Sequence, residues 1–255
     1  MSMQSPRGSG ARLIALLGAI AEGGAQFTLK ELCERVQLPP STVHRLLRTL
    51  LRSGLVERGK GQGYRPGREL YRMAWLLRSK FDVGPMARPL LERLWSRWRE
   101  TAVLAVYTPA RRRATVQEVV LTPHPLRFAM EVGTELALPW GSLGRAILAQ
   151  LPEADRDAII TASGTGPLSG RPLPRRTLLR TELEQVRTNG VAVYYDPAFE
   201  LAGVAAPLFG SNGRLFGCVG VVMPTRRFER QNAPAMSRSV RATAQELSSI
   251  IALND

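Results

Sequence analysis

The sequence predicts an α+β protein of two domains, with three short helices and a β-hairpin first and a mixed half of strands and helices second. Two observations support this fold class. Apolar residues recur at helical spacing between residues 13 and 51, whereas valine-rich segments with strand-like alternation dominate after residue 100. A length of 255 residues with 44% hydrophobic residues is enough for two buried cores.

The positive charge of the chain is concentrated near its N-terminus. There are 35 Lys and Arg residues against 21 Asp and Glu, a net charge of +14. Residues 1–80 hold 14 basic against five acidic residues, a net of +9, whereas residues 81–255 hold 21 against 16, a net of +5. The first third is therefore the stronger candidate for binding a polyanion.

Several classes of function lack their sequence signals. No apolar segment resembles a signal peptide or a membrane span of about 18 residues, so we expect a cytoplasmic protein without membrane contact. Cys33 and Cys218 have no partner spacing, and His44 and His124 are the two histidines, so we expect no metal site. With no nucleophile elbow and no phosphate-binding loop, we expect neither catalysis nor a cofactor.

The first two helices follow a polar, glycine-rich segment, residues 1–10, which we expect to be a flexible tail. Apolar spacing predicts helix one over 11–22, ended by two glycines. Thr28 can cap a second helix, and Glu31 stands three residues later as its capping-box partner. The apolar positions of that helix continue to Val36.

A third helix follows the Pro39-Pro40 turn, with Ser41 or Thr42 expected as its cap. Its leucines form one face, and Arg45, Arg48 and Arg52 lie with Ser41 and His44 on the opposite face. Because an α-helix fits the major groove of DNA, this is the predicted recognition helix of a helix-turn-helix. The alternative is a basic face that is simply solvated.

A β-hairpin is predicted next, with strands at 54–58 and 64–65 and a glycine-rich tip that carries Lys60. Such a hairpin is the wing of a winged helix-turn-helix, and its tip allows close approach to phosphates. The predicted DNA-binding residues are Thr28, Ser41, Thr42, His44, Arg45, Arg48, Arg52, Lys60, Tyr64 and Arg65.

The second half begins after a linker helix predicted for residues 69–84. A helix striped by Leu90, Leu94 and Trp98 follows, and Arg111–Arg113 are read as a solvated hairpin turn, with a second DNA contact as the alternative. Strands are predicted at 102–107, 115–121, 126–131, 191–195, 202–208 and 216–223, and helices at 141–151, 153–161, 177–188 and 231–253.

These segments resemble the IclR (isocitrate lyase regulator) family of bacterial transcription factors. Residues 29–56 look like the family's winged helix-turn-helix. The segments Trp140–Ala149, Val186–Val193 and Ala205–Leu208 are similar to successive motifs of its second domain. The resemblance extends from about residue 11 to residue 250. It implies a DNA-binding domain over 11–68 and a GAF-like effector-binding and oligomerisation domain over 85–255.

The resemblance also implies partners: a pseudo-palindromic double-stranded DNA operator, a small-molecule effector, and further copies of the chain in a dimer or tetramer. The effector positions that it maps onto this sequence are Pro139, Trp140, Tyr194, Asp196, Gly203, Gly220 and Val222.

This sequence departs from the family pattern at four effector positions, where many relatives have histidine, cysteine or serine and this chain has Pro139, Gly203, Gly220 and Val222. Because a buried carboxylate without donors is costly, the departure favours an apolar or aromatic effector. Trp140 can also be read as a core anchor, and the glycines as tight strand packing. In that case the pocket is closed and the protein binds DNA without a ligand, as a regulator or an architectural protein.

Overall fold

The computed structural model describes residues 8–59, 63–80, 83–128, 130–167 and 170–254. The chain divides into two compact units, Met1–Asp82 and Val83–Asp255. Residues 1–7 of the predicted flexible tail lie outside the described part, and the first helix begins within that tail. The elements of the first unit are helices α1 (Ser9–Ala21), α2 (Leu29–Val36), α3 (Pro40–Arg52) and α4 (Arg68–Lys80), and strands β1 (Val56–Arg58) and β2 (Tyr64–Pro66).

The apolar faces of α1, α2 and α3 meet in one core, as expected for a winged helix-turn-helix. Leu16, Leu32 and Leu47 are almost completely buried there. Residues at i, i+3 and i+4 share a helix face, so the pattern that predicts each helix also places its leucines against the other two. The first domain thus has the predicted architecture.

The start of α2 is the predicted capping box. The Thr28 Oγ1 accepts a hydrogen bond from the Glu31 N–H at 3.2 Å, and the Glu31 Oε2 accepts one from the Thr28 N–H at 2.7 Å. The Thr28 backbone hydrogen bond lowers the pKa of Glu31. Two amides that no helical carbonyl can reach are satisfied in this way.

The start of α3 differs from the predicted cap at Ser41 or Thr42. The helix begins at Pro40, and no side chain caps it. The Pro39 carbonyl accepts hydrogen bonds from the Thr42 N–H at 3.0 Å and from the Val43 N–H at 3.1 Å. Because proline has no N–H to satisfy and a φ already suited to a helix, Pro40 starts the helix without a cap.

The second unit is an α+β domain built on one antiparallel sheet, with the strand order β5-β4-β3-β8-β7-β6. Among the described residues, no helix is both long and apolar enough to cross a bilayer. The elements are α5 (Val83–Trp98), β3 (Thr101–Thr108), β4 (Arg113–Val120), β5 (Glu135–Leu136), α6 (Gly141–Leu148), α7 (Glu153–Ala162), α8 (Arg176–Asn189), β6 (Ala192–Asp196), β7 (Leu201–Phe209), β8 (Leu215–Pro224) and α9 (Ala233–Asn254).

Helices cover both faces of this sheet. Val204 and Val221 belong to the core formed with α5 and α9, whereas Ala205 and Val222 belong to the core formed with α6 and α8. Successive residues of a strand alternate between faces. In β6, Ala192 packs in the core formed with α6 and α8. Tyr194 is two residues later in the strand, so it lies on the same face of the sheet as Ala192.

The strand predicted for residues 126–131 was wrong: none of its described residues is in a strand. Instead, Gly133 donates to the Val116 carbonyl at 2.8 Å, and Val116 donates to the Thr134 carbonyl at 2.9 Å. The edge of β4 is therefore paired by a segment a few residues later, which continues into β5. Pro123 and Pro125 lack the N–H groups that a ladder requires.

Candidate DNA-binding surface and effector cleft

One face of α3 is a row of exposed arginines. Arg45, Arg48 and Arg52 recur at helical spacing and are exposed, as are Ser41 and His44 at the N-terminal half of the same face. The opposite side of α3 is buried through Val43, Leu46, Leu47 and Leu50, and Thr42 is half-buried. Packing of the leucines therefore fixes the direction in which the guanidinium groups point.

These three arginines have no acidic partner among the described side chains, whereas Arg65 pairs with Glu57 and Arg72 with Glu69 in the same unit. A guanidinium presents five N–H donors and stays charged at any physiological pH. A row of such groups on an exposed helix is suited to the phosphates and guanine edges of a DNA major groove.

The hairpin contributes less free charge than the sequence indicated. Arg65 faces Glu57 across the β1–β2 pair, and its Nη2 lies 2.9 Å from the Glu57 Oε2. The backbone N–H of Arg68 and the Arg65 guanidinium lower the pKa of Glu57, so this carboxylate is charged. Arg65 is half-exposed but already paired. Lys60, predicted at the hairpin tip, lies outside the described residues.

The structure corrects the assignment of Tyr64, which is 4% exposed and packs in the core of the first unit. Its ring stacks on Phe27 at 6.3 Å, and the Arg58 guanidinium covers it at 4.7 Å. A residue so placed stabilises the hairpin and does not face a nucleic acid. Arg58 itself is exposed and was not among the predicted DNA-binding residues. Strand alternation gave no signal for it, because Arg58 is two residues after buried Val56 and should share its face.

Thr28 is exposed, but its hydroxyl is engaged in the capping box. It can still approach a phosphate through its second lone pair, since a hydroxyl oxygen accepts two hydrogen bonds. Its contact with DNA remains a prediction.

The second unit contains a small cleft on the side of the sheet that faces α6. Its empty volume is about 290 Å³, counted out to the open mouth. The enclosed space within it is about 40 Å³, well below the roughly 300 Å³ of typical small-ligand pockets, so the cleft is narrow in this structure. It is lined by Trp140, Gly141, Gly166, Pro167, Tyr194, Asp196, Phe199 and Leu201.

A polar cluster adjoins the Tyr194 side of the cleft. The Tyr194 hydroxyl donates to the Asp196 Oδ2 at 3.3 Å, and the Arg145 guanidinium lies 4.9 Å from the Tyr194 ring centroid. Arg145 in turn pairs with Glu182 of α8 at 2.5 Å. Burial, and then the charge of Asp196, raise the pKa of Tyr194, so its hydroxyl stays protonated and remains a donor.

Four predicted effector residues lie outside the cleft lining. A Cβ at Gly203 would lie 2.6 Å from the Ser142 hydroxyl, and one at Gly220 would lie 2.6 Å from the Val204 carbonyl, so both glycines are closely covered. Val222 packs in the core, and Pro139 is buried. Of the seven predicted positions, the structure brings Trp140, Tyr194 and Asp196 together.

Sequence reasoning missed Phe199 and Leu201, which complete the aromatic and apolar wall. Phe199 stands in the short connection after β6, where periodicity gives no signal. The one available signal in the sequence was Pro197, which marks a turn between Tyr194 and Phe199. Ser142 was also missed: its hydroxyl is buried without a hydrogen-bond partner in the structure.

Together, these features define a class: DNA-binding transcriptional regulators with a winged helix-turn-helix followed by an α+β sensor domain. Residues 9–60 match the model of the IclR helix-turn-helix domain, and residues 77–249 match that of the bacterial transcriptional regulator IclR C-terminal domain. The second match alone covers more than half of the chain. The chain belongs to the IclR family of bacterial transcriptional regulators.

Individual relatives agree with this membership. The HTH-type transcriptional regulator Rv1719 of Mycobacterium tuberculosis is 34% identical over 90% of this chain and 89% of its own. The crystal structure of an IclR transcriptional regulator from Alicyclobacillus acidocaldarius has a TM-score of 0.74 at 22% identity, covering 94% of this chain and 97% of that one. An IclR homolog from Microbacterium hydrocarbonoxydans, complexed with 4-hydroxybenzoate, has a TM-score of 0.71 at 22% identity, covering 96% and 99%.

Proposed function

We propose that this protein is a sequence-specific transcriptional regulator of the cytoplasm that a small-molecule effector controls, and that it works by binding, without catalysis or a cofactor. The observation that carries the proposal is the exposed arginine face of α3, whose charges have no acidic partner among the described side chains. Unpaired guanidinium groups on a helix held by a buried leucine face are what major-groove recognition requires.

On DNA, two copies of α3 enter successive major grooves of a pseudo-palindromic operator, with half-sites about 10 bp apart or at a longer spacing that the linker sets. Arg45 and Arg48 are the residues that read base edges, since a guanidinium can pair with guanine O6 and N7. Ser41, Thr42 and Lys60 hold phosphates.

The second copy that this arrangement needs binds the linker helix α4. Tyr71 and Trp75, which share one face of α4, are 63% and 72% exposed, and Leu77 on another side is 65% exposed; exposed large apolar groups in such number usually mark an interface. Replacing Trp75 by Glu should weaken self-association by about 2 kcal/mol or more, measured by analytical ultracentrifugation. The exposed Leu178→Glu is the matched control, and an equal effect of both variants would contradict the assignment.

The effector site is the cleft that Trp140, Tyr194 and Asp196 line, and its ligand is apolar or aromatic. The mostly apolar and aromatic lining supports this assignment. The 4-hydroxybenzoate complex of the Microbacterium homolog shows that an aromatic ligand can bind to a protein of this fold. Effector binding then alters DNA affinity through α4.

The runner-up is a regulator or architectural protein that binds DNA without a ligand. One observation favours it: the Ser142 hydroxyl and neighbouring strands cover Gly203 and Gly220, so the cleft does not extend to those positions. A protein of this kind needs no response to metabolites.

Sequencing the DNA that the purified protein retains from sheared genomic fragments distinguishes these functions. The proposed regulator enriches a pseudo-palindromic sequence, and a metabolite in a parallel incubation changes that enrichment. Retention without sequence enrichment supports the architectural protein. Enrichment that no metabolite alters supports a ligand-independent regulator.

A further inference from the structure

The effector cleft is lined by three aromatic residues and one acidic residue. The aromatic residues are Trp140, Tyr194 and Phe199, and Asp196 lies beside them, although nearly all of the surface exposed in the cleft is apolar. The other lining residues of the described chain carry no charge, so neither lysine nor arginine is among them. Aromatic faces are the negative side of the ring quadrupole, and a carboxylate adds a full negative charge.

The hydrogen bonds of Asp196 leave its charge without a counterion. Its Oδ2 accepts from the Tyr194 hydroxyl and its Oδ1 from the Ala198 N–H at 3.1 Å, and both donors are neutral. The described residues supply no ion pair to this carboxylate, although the chain has 35 basic residues. A half-buried charge of this kind gains more from a bound cation than an exposed one does, because water screens it less.

The rings at this cleft already accept cations on some of their faces. The Arg145 guanidinium lies over Tyr194 at 4.9 Å, and the Arg171 guanidinium lies over Phe199 at 5.3 Å. The charge of Arg145 is balanced by Glu182. Arg171 belongs to the segment whose Gly166 and Pro167 line the cleft, and Gly166 donates to the Arg171 carbonyl at 2.8 Å.

From this geometry we infer that the effector is an organic cation, a substituted ammonium group on an apolar or aromatic body. The ammonium group lies among Trp140, Tyr194 and Phe199 and faces Asp196, and the body fills the space beside Leu201. The inference rests on the proposed function of this cleft as the effector site, and it specifies the charge of the ligand. A carboxylate effector would be repelled by the negative charge of Asp196 and by the negative faces of the rings.

The test uses the full-length protein and isosteric probes of different charge. Choline, its neutral isostere 3,3-dimethylbutan-1-ol and the anion 3,3-dimethylbutanoate are titrated by calorimetry. We expect choline to bind at least about tenfold more tightly than the neutral isostere, a difference of about 1.4 kcal/mol. Equal binding of the two, or tighter binding of the anion, would overturn the inference while leaving an effector site in place.

Two variants at the cleft and one control variant locate the effect. Asp196→Asn should reduce the preference for choline about tenfold, whereas Asp155→Asn, an equal change of charge on α7 outside the cleft, should leave it unchanged. Arg171→Gln removes a positive charge beside the rings and should strengthen choline binding by about threefold. The opposite result for Arg171→Gln, which is expected of a site for an anionic effector, would overturn the inference.

Different results overturn the cation inference and the proposed function. If none of the three probes binds, the cation inference is overturned. The metabolite arm of the DNA-retention experiment then decides separately whether the protein answers to any effector. Unchanged thermal unfolding temperatures of the variants show that a lost preference comes from the cleft and not from misfolding.

Discussion

The two units of this protein use arginine in different ways. On α3, Arg45, Arg48 and Arg52 are exposed and lack acidic partners among the described side chains. In the second unit, about half of the arginines are paired with carboxylates. Such pairs join Arg88 to Glu118, Arg93 to Glu246, Arg112 to Asp155, Arg145 to Glu182, Arg180 to Asp157, Arg226 to Glu200 and Arg227 to Glu100.

The difference shows that a count of charges does not identify a nucleic-acid surface. A guanidinium that holds a carboxylate within its own domain joins two elements, as Arg112 joins the turn after β3 to α7. One without such a partner keeps its donors available for another molecule. The net charges of +9 for residues 1–80 and +5 for the remainder point in the same direction but do not show which arginines are available.

The largest effect should come from the most buried of these pairs, between Arg227 and Glu100. Glu100 is 6% exposed at its side chain, and Arg227 also donates to the Leu126 carbonyl at 2.9 Å. Arg227→Met leaves this carboxylate buried without a cation, so we expect a loss of about 3 kcal/mol in the free energy of unfolding. Equilibrium urea denaturation measures it, and the DNA affinity of the folded protein should be unchanged.

A smaller loss, about 1 kcal/mol, should follow from Thr28→Ala, which removes the α2 cap. If Thr28 only stabilises, the operator affinity of the folded protein is unchanged. If Thr28 also contacts phosphate, as the sequence predicts, affinity falls as well. DNA binding measured well below the unfolding temperature distinguishes the two roles.

The pH dependence of the same cap can be predicted in sign. The capping box lowers the pKa of Glu31 from its ordinary value of 4.5, so its charged form stabilises the fold. That contribution is complete above pH 4.5 and disappears as the pH falls through the lowered pKa. Wild type and Glu31→Gln should therefore converge in stability on acidification. Curves that stay parallel below pH 4.5 would contradict this.

Lys60→Ala should weaken binding to all DNA sequences alike, by about threefold, and should lower the salt slope by about one unit. A phosphate contact carries no sequence information, which is why operator and random DNA should respond equally. Titrations at several salt concentrations measure the slope, and a loss confined to the operator would be inconsistent with a phosphate contact.

The smallest effect is expected for Arg226→Met, next in sequence to Arg227 but 71% exposed. Exposed ion pairs contribute about 0 to 1 kcal/mol, so unfolding should change by less than about 0.5 kcal/mol. A loss as large as that of Arg227→Met would mean that burial does not separate the two pairs.

Local patterns predicted the first unit better than the second. Apolar spacing and the Thr28–Glu31 box depend on neighbours within four residues, so α2 was predictable almost to the residue. Tyr64 was misread because its burial depends on Phe27, 37 positions earlier, through a bridge that no local pattern shows. The false strand at 126–131 arose because apolar residues there alternate, although β4 pairs with a later segment.

The cleft was predictable in part for the same reason. Trp140, Tyr194 and Asp196 were placed by resemblance to relatives, whereas Phe199 enters through a loop. The glycines at 203 and 220 indicated a lack of polar groups, but their cause is close packing against Ser142 and Val204. Such contacts join distant parts of the chain, and a single sequence does not display them.

The most direct test of sequence recognition by α3 is the ratio of operator to random-DNA affinity for Arg45→Ala and wild type at one salt concentration. We expect this ratio to fall by a factor equivalent to about 1 to 3 kcal/mol, and we expect the preference to relax at one base pair per half-site. Arg65→Ala, whose guanidinium is already paired with Glu57, should leave the ratio close to that of wild type. Equal losses on operator and random DNA for Arg45→Ala would contradict the assignment of α3 as the recognition helix.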